Sequence, residues 1–339
     1  MSYPNYSFPK VRFRRNRMHA SLRKLSAETQ FFPEQVILPV FLTENQATED
    51  LDSLPGVKRW SLQDLPQLLE TVLALKIQAI ALFPQVPDAK KTLACDEAYR
   101  ETNLIHRALA IVQREAPNLA TICDVALDPY NPFGHDGFVD EHGRILNDET
   151  VEALVKQALC LSNAGATIVA PSDMMDGRIG AIRDALERAG QTEQVILSYA
   201  AKYASAFYGP FRDAIGSASA LKTDKASYQM NPANSDEALR EVAADLQEGA
   251  DMVMVKPGML YLDVVHRVKR EFGVPTFAYH VSGEFASLKA AARNGWLDYN
   301  NCIWELMTSF RRAGADAVLT YAALELSELW HQKNGISWR

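Results

Sequence analysis

Eight short apolar runs, each followed by a longer stretch of polar or helix-period sequence, constrain this chain more than any other feature. The runs span 36–41, 77–83, 119–127, 166–170, 195–199, 251–255, 274–281 and 317–321. They are rich in Val and Ile and flanked by Gly, Pro, Asp or Ser, which is how strands buried on both faces read. Between them, 61–75, 148–164, 179–189, 235–248 and 302–313 place apolar residues at i, i+3/i+4 spacing. Ser61 and Asp148 stand where those helices should be capped. Gly165, Gly190, Gly249 and Gly314 follow helix ends. Strand-helix units in series predict an α/β parallel sheet, and eight is the number at which it closes into a (β/α)8 TIM barrel. The rival, an open doubly wound sheet, normally carries GxGxxG after its first strand; here that strand leads into Leu38-Pro-Val-Phe-Leu-Thr43.

The 339 residues suit one large domain with an appendage. We divide them into a basic N-terminal arm, 1–32, and a catalytic barrel, 33–339. The net charge of −7 is uneven: the first 30 residues hold seven basic side chains against Glu28, a balance of +6 that leaves −13 for the rest. Such an arm can bind nucleic acid or dock on the acidic body of its own or a neighbouring subunit. Docking is favoured, because no nucleic-acid motif follows; nucleic acid is not an expected partner. Four scattered cysteines without a CxxC pair argue against disulfides and a cysteine zinc site and fit a reducing cytoplasm. No run is long enough for a membrane span, and no signal-peptide apolar region opens the chain. The polar segment 216–234 reads as a long lid, and 128–146 as a second one.

In a barrel the C-terminal strand ends meet at one mouth. There the chain places Asp124, Asp128 and Asp136 after the third strand, Ser172 and Asp173 after the fourth, and Lys202 after the fifth. Lys256 ends the sixth, His280 and Ser282 follow the seventh, and Tyr321 the eighth. Lys256 is the sharpest signal. A lysine buried at the end of an apolar strand has a lowered pKa and can act as an amine nucleophile; the plain alternative snorkels to solvent. Lys202 lies on the adjacent strand, and two close ammoniums lower each other's pKa. The pair can form two Schiff bases, or one beside a charge, or simply grip an anion. The three aspartates suit acid–base work, ammonium binding or a divalent metal, and equally the capping of turns. Arg212, Lys225 and Gln229 sit on or beside the long lid, where they could hold a carboxylate.

Five motifs carry a resemblance: Met252-Val-Met-Val-Lys-Pro-Gly258, Ala170-Pro-Ser-Asp-Met-Met-Asp-Gly-Arg178, Ala201-Lys-Tyr-Ala-Ser205 with Tyr208-Gly-Pro-Phe-Arg-Asp213, Tyr228-Gln-Met-Asn-Pro-Ala-Asn234 and Val281-Ser-Gly-Glu284. In this order they resemble the porphobilinogen synthase (5-aminolevulinate dehydratase) family from near Arg14 to Tyr321. The resemblance implies a lyase of tetrapyrrole (haem) biosynthesis that joins two molecules of 5-aminolevulinate with loss of two waters. It implies Schiff bases at Lys256 for the P-side substrate and at Lys202 for the A-side one. Ser282 and Tyr321 would bind the P-side carboxylate, and Arg212, Lys225 and Gln229 the A-side one. Asp124, Asp128 and Asp136 would orient the A-side amine and move protons.

Zinc-dependent members carry three cysteines where this chain has Ala126, Asp128 and Asp136. It therefore resembles the aspartate-rich branch, with no catalytic zinc expected and a regulatory Mg2+ whose carboxylate matches Glu241. An octamer built through N-terminal arms is the assembly implied. Three positions depart from the family pattern: Asn131-Pro-Phe133 puts Phe133 where a histidine is usual, Ala200 replaces serine, and His280 replaces glutamine. All three should lie near the mouth, where they raise the alternative of a related condensing enzyme or lyase acting on another amino ketone. A second alternative is a ligand-binding relative without catalysis.

Overall fold

The computed structural model describes residues 7–216 and 224–334. Its centre is a closed barrel of eight parallel strands: β1 (Val36–Thr43), β2 (Ala79–Pro84), β3 (Ala120–Val125), β4 (Ile168–Pro171), β5 (Val195–Lys202), β6 (Met252–Lys256), β7 (Thr276–His280) and β8 (Ala317–Thr320). Each pairs with its neighbours in sequence. β8 returns to β1, with Val36 opposite Val318 and Ile37 opposite Leu319, so the barrel wall has no free edge. Around it run α1 (Leu65–Ala74), α2 (Leu104–Glu115), α3 (Asn147–Asn163), α4 (Arg178–Arg188), α5 (Asp236–Gln247), α6 (Leu262–Phe272), α7 (Tyr299–Ala313) and α8 (Ala323–Lys333). A further helix, Ser282–Arg293, stands between β7 and α7.

Every expected strand forms, with ends moved by a few residues. The largest change is in β5, which runs on to Lys202. Its pairing with β6 slips by one: Val253 faces Ser198, yet Val255 faces Ala201 and Lys256 faces Lys202. This β-bulge puts one extra residue into β5 around Tyr199 and Ala200. Side chains of a regular strand alternate faces, so Tyr199 and Lys202, three apart, would otherwise point to opposite sides. The bulge lets both face the interior, while Ser198 faces outward and bonds to Asp245 on α5.

The caps fall partly where expected. Gly314 ends α7 at φ 113°, its N–H bonded to the Phe310 and Arg311 carbonyls, and Gly165, Gly190 and Gly249 likewise take positive φ. Ser61 is not the N-cap residue; its hydroxyl braces Asp64, which precedes α1. Asp148 lies inside the first turn of α3, where its charge offsets the helix dipole.

Of the expected lid, 217–223 lies outside the described residues. The following stretch is anchored beside β5: the Met230 N–H donates to the Lys202 carbonyl at 2.9 Å, and the Ala204 N–H donates to Met230 at 2.8 Å. The other long loop carries a small hairpin, Phe138–Val139 with Ile145–Leu146. A short helix, Gly209–Ala214, lies over the mouth. Arg59 holds its end, donating to the Ala214 carbonyl at 3.1 and 2.8 Å.

The described part of the arm contains a 3-10 turn, Phe13–Arg17, and one α-helix, Ala20–Leu25; only its end packs on the barrel, Phe31 against Trp304 of α7 and Phe32 against Trp330 of α8, and the residues before it are largely exposed. Phe8, Phe13, Met18 and Leu25 are 76%, 64%, 69% and 83% exposed. The four cysteines are unpaired. No helix among the described residues is long and apolar enough to cross a membrane.

Candidate active site

Lys202 and Lys256 end neighbouring strands and stand directly opposite in register. They are only 5% and 6% exposed. Their surroundings drive them apart. The Lys256 Nζ lies among four rings, at 4.6 Å from the centroid of Tyr279, 5.1 Å from Tyr199 and Phe211, and 5.4 Å from Tyr208. Burial, and then the charge of Lys202, push its pKa down to about 7. An amine so placed is substantially neutral at physiological pH, which is the nucleophilic form.

Lys202 is also stripped of water, and burial by itself lowers its pKa. The carboxylates of Asp136 and Asp128 outweigh that and raise its pKa above the ordinary value. Its ammonium donates to Asp136 Oδ1 at 2.9 Å and to the Ser172 carbonyl.

Asp136 is the hub of the cluster. Its Oδ2 accepts from Lys225 at 2.7 Å and from the Tyr228 hydroxyl at 2.8 Å. Burial would raise its pKa, but the two ammoniums hold it well below the carboxylate range. Asp128 stands 3.7 Å from Lys225, and burial raises its pKa. Asp124 is partly exposed, but its Oδ1 is buried without a partner. Burial, and then the charge of Asp128, raise it to about 7. One chamber therefore holds a fixed carboxylate, Asp136, and a carboxyl poised to exchange its proton near neutrality, Asp124. Environments that split similar groups in this way mark acid–base sites.

The expected carboxylate binders surround this chamber, but several are engaged with the protein. The Ser282 hydroxyl accepts from the Phe211 N–H at 3.0 Å and donates to the Phe207 carbonyl at 3.3 Å. Tyr321 shares a 2.9 Å bond with Tyr279. Lys225 is bound to Asp136, whereas buried Gln229 keeps an unpartnered Oε1. Arg212 sits on the short helix over the mouth, half-buried.

Two residues expected at the mouth are elsewhere. His280 follows inward-facing Tyr279 and therefore points out. It packs between Phe285 and Phe310, bonds to Thr320 at 3.0 Å, and burial lowers its pKa to about 3. Asp173 turns toward Arg178, 3.9 Å away. Phe133 lines a surface pocket of about 530 Å³ with Leu93, Tyr99 and Lys156. Asn131 braces its loop, donating to the Leu127 carbonyl at 2.9 Å and to the His135 carbonyl at 2.6 Å.

The residues missed from sequence are aromatic or loop-borne. Tyr228 and His135, whose ring nitrogen is 3.3 Å from the Tyr228 hydroxyl, steady Asp136. Tyr199, Tyr208, Phe211 and Tyr279 form the cage around Lys256. Only the position of Tyr199 and Tyr279 near strand ends hinted at this.

Among the described residues no three His, Cys, Asp or Glu side chains are close enough to share a metal ion. Glu241, on α5, lines a pocket of about 410 Å³ with Asp176 and Glu237, which borders the chamber at Tyr228 and Gln229, and burial raises its pKa. Mg2+ is commonly held by one or two carboxylates and retained water, so this acidic pocket fits a hydrated Mg2+ better than a fully protein-ligated one.

The model of the delta-aminolevulinic acid dehydratase family matches residues 10–329. The chain belongs to that family. It is 51% identical over 323 residues to delta-aminolevulinic acid dehydratase of Rhodobacter capsulatus, covering 95% of this chain and 97% of that one. The chloroplastic enzyme of Chlamydomonas reinhardtii is 46% identical over 324 residues, 93% of this chain and 83% of its own. A crystal structure of the Toxoplasma gondii family member, porphobilinogen synthase in complex with its product porphobilinogen, superposes with a TM-score of 0.93 at 47% identity. The match covers 96% of this chain and 92% of that one.

Proposed function

We propose that this chain is a porphobilinogen synthase, condensing two molecules of 5-aminolevulinate to porphobilinogen with loss of two waters. The observation that carries this reading is the facing pair of buried amines, one pushed toward neutrality and one held charged. Lys256 takes the first, P-side substrate: its amine attacks the ketone, and the oxygen leaves as water. Asp124, poised near neutrality, is the proton source. Lys202 takes the A-side substrate once it passes a proton to the Asp128 carboxylate, whose pKa burial raises. The resulting iminium acidifies the neighbouring C–H, and two substrates held side by side react as one molecule. Ser282 and Tyr321 receive the P-side carboxylate. Arg212, Lys225 and Gln229 receive the A-side one, which requires Lys225 to exchange Asp136 for substrate.

We place the chain in the zinc-free branch. Ala126, Asp128 and Asp136 offer no thiolate, and Lys202 and Lys225 already neutralise the carboxylates there. Glu241 is the proposed carboxylate of a regulatory Mg2+. The exposed apolar side chains of the arm support assembly through neighbouring subunits, and the octamer and the cytoplasm are proposed from the family resemblance alone.

The test mixes purified protein with 5-aminolevulinate and follows pyrrole by its colour reaction. Pyrrole should form in chelator and faster with Mg2+, and E241A should lose only the Mg2+ stimulation. Folded protein that makes no pyrrole in any condition overturns the assignment; loss of all activity in chelator overturns the zinc-free placement.

A further inference from the structure

Folded proteins keep buried hydroxyls bonded, because removing water without supplying another partner costs stability. Tyr199 does not follow that rule. It is 1% exposed, and its hydroxyl meets no donor or acceptor. Its position is not slack space: the β5 bulge turns it into the chamber, its ring centroid 5.1 Å from the Lys256 Nζ. The other phenols around that amine are spoken for. Tyr279 and Tyr321 bond to each other at 2.9 Å. Tyr208 donates to the Tyr203 carbonyl at 2.8 Å and approaches the Lys256 carbonyl at 3.2 Å. Asp124 Oδ1 is likewise buried and unpartnered. After burial, the charge of Asp124 is what most opposes ionisation of Tyr199, which sets the two near one another and keeps the phenol protonated. A donor and an acceptor therefore wait without partners beside one nucleophilic amine.

We propose that Tyr199 is a further catalytic residue for the step at Lys256, its phenol donating a hydrogen bond to the ketone oxygen of the substrate under attack. The inference rests on the synthase reading above. The nitrogen lone pair forms the new C–N bond, and the carbonyl π pair moves onto oxygen, which takes one proton from that nitrogen. The resulting hydroxyl accepts the Asp124 proton and departs as water as the nitrogen pair closes the C=N bond. The iminium and the Asp124 carboxylate balance in charge. Tyr199 keeps its proton throughout and stabilises the charge that builds on oxygen, as an oxyanion-hole donor does. The orphan hydroxyl is thus a place reserved for substrate, maintained at a cost in stability.

The test is Y199F. Protein is mixed with 5-aminolevulinate, quenched with borohydride at short intervals, and the adduct at Lys256 is quantified by peptide mass. Y199F should form it about a hundredfold more slowly, with an unchanged half-saturating concentration and a Tm at least that of the unaltered protein. Trapping at the unaltered rate overturns the proposal. Slow trapping together with a lowered Tm also overturns it, because the hydroxyl would then be structural. Should Y199F not fold, 3-fluorotyrosine at 199, a stronger donor of nearly the same shape, should trap faster, and an unchanged rate counts against the proposal. If the unaltered protein gives no adduct at Lys256, the synthase reading itself fails, a different result from a slow Y199F.

Discussion

At the residue scale the two lysines show how position, not residue type, sets chemistry. Both are buried and stand directly opposite in register, yet carboxylates gather round Lys202 and aromatic rings round Lys256. Lys256 is near 7 in the fold, against 10.5 for an ordinary lysine. Between these values the unfolded chain binds more protons, so stability rises with pH across that window. Below it the fold bears the whole cost of a buried ammonium; above it neither state is charged. K256M should therefore stabilise most at and below neutral pH, by on the order of 5 kcal/mol, and the gain should shrink as pH approaches 10.5. Thermal melts across that range check this, and a gap independent of pH would sink it. The importance of both lysines was legible in sequence, since Lys256 closes an apolar strand and Lys202 follows the neighbouring one. Their opposite states were not. The partners that decide them, Asp136 with Tyr228 on one side and Tyr199, Tyr208, Phe211 and Tyr279 on the other, come from distant segments.

At the scale of elements, strands were easier to read than helices. Strands buried on both faces are continuous apolar runs, whereas Ser282–Arg293 is short and rich in alanine, with little periodic signal. The bulge in β5 was invisible, because inserting one residue changes no composition, only the face on which Lys202 emerges. The loop–helix contact at Gly283 was equally hidden. A Cβ there would stand 2.6 Å from the Phe207 carbonyl oxygen and 2.8 Å from its Cα. Backbone that close tolerates only glycine, and the contact seats Gly209–Ala214 over the mouth. G283A should displace that helix, costing about 1–3 kcal/mol and raising KM more than it lowers kcat. Steady-state kinetics with a thermal melt will check it; an unchanged KM would refute the seating role.

For the whole molecule, the arm and the barrel make different demands. The barrel closes on itself, while the arm leaves Phe8, Phe13, Met18 and Leu25 in water. Such side chains gain by burial against another chain. Removing residues 1–28, which leaves Phe31 and Phe32 packed on the barrel, should therefore lower the assembly state seen by sedimentation velocity while each barrel stays folded by circular dichroism. An unchanged sedimentation coefficient per subunit count would rule the arm out as the connector. By itself the sequence determined the closed (β/α)8 wall, the residue types at its mouth and the split between basic arm and acidic body. These follow from periodicity and charge, which are local and add along the chain. Tertiary structure alone decided that His280 and Asp173 turn away from the mouth, that Asp136 joins Lys202 to Lys225, and that Tyr199 is left without a partner. Strand parity, a one-residue bulge and loops meeting across the barrel set these, and each is a property of pairs of segments that no single stretch of sequence contains.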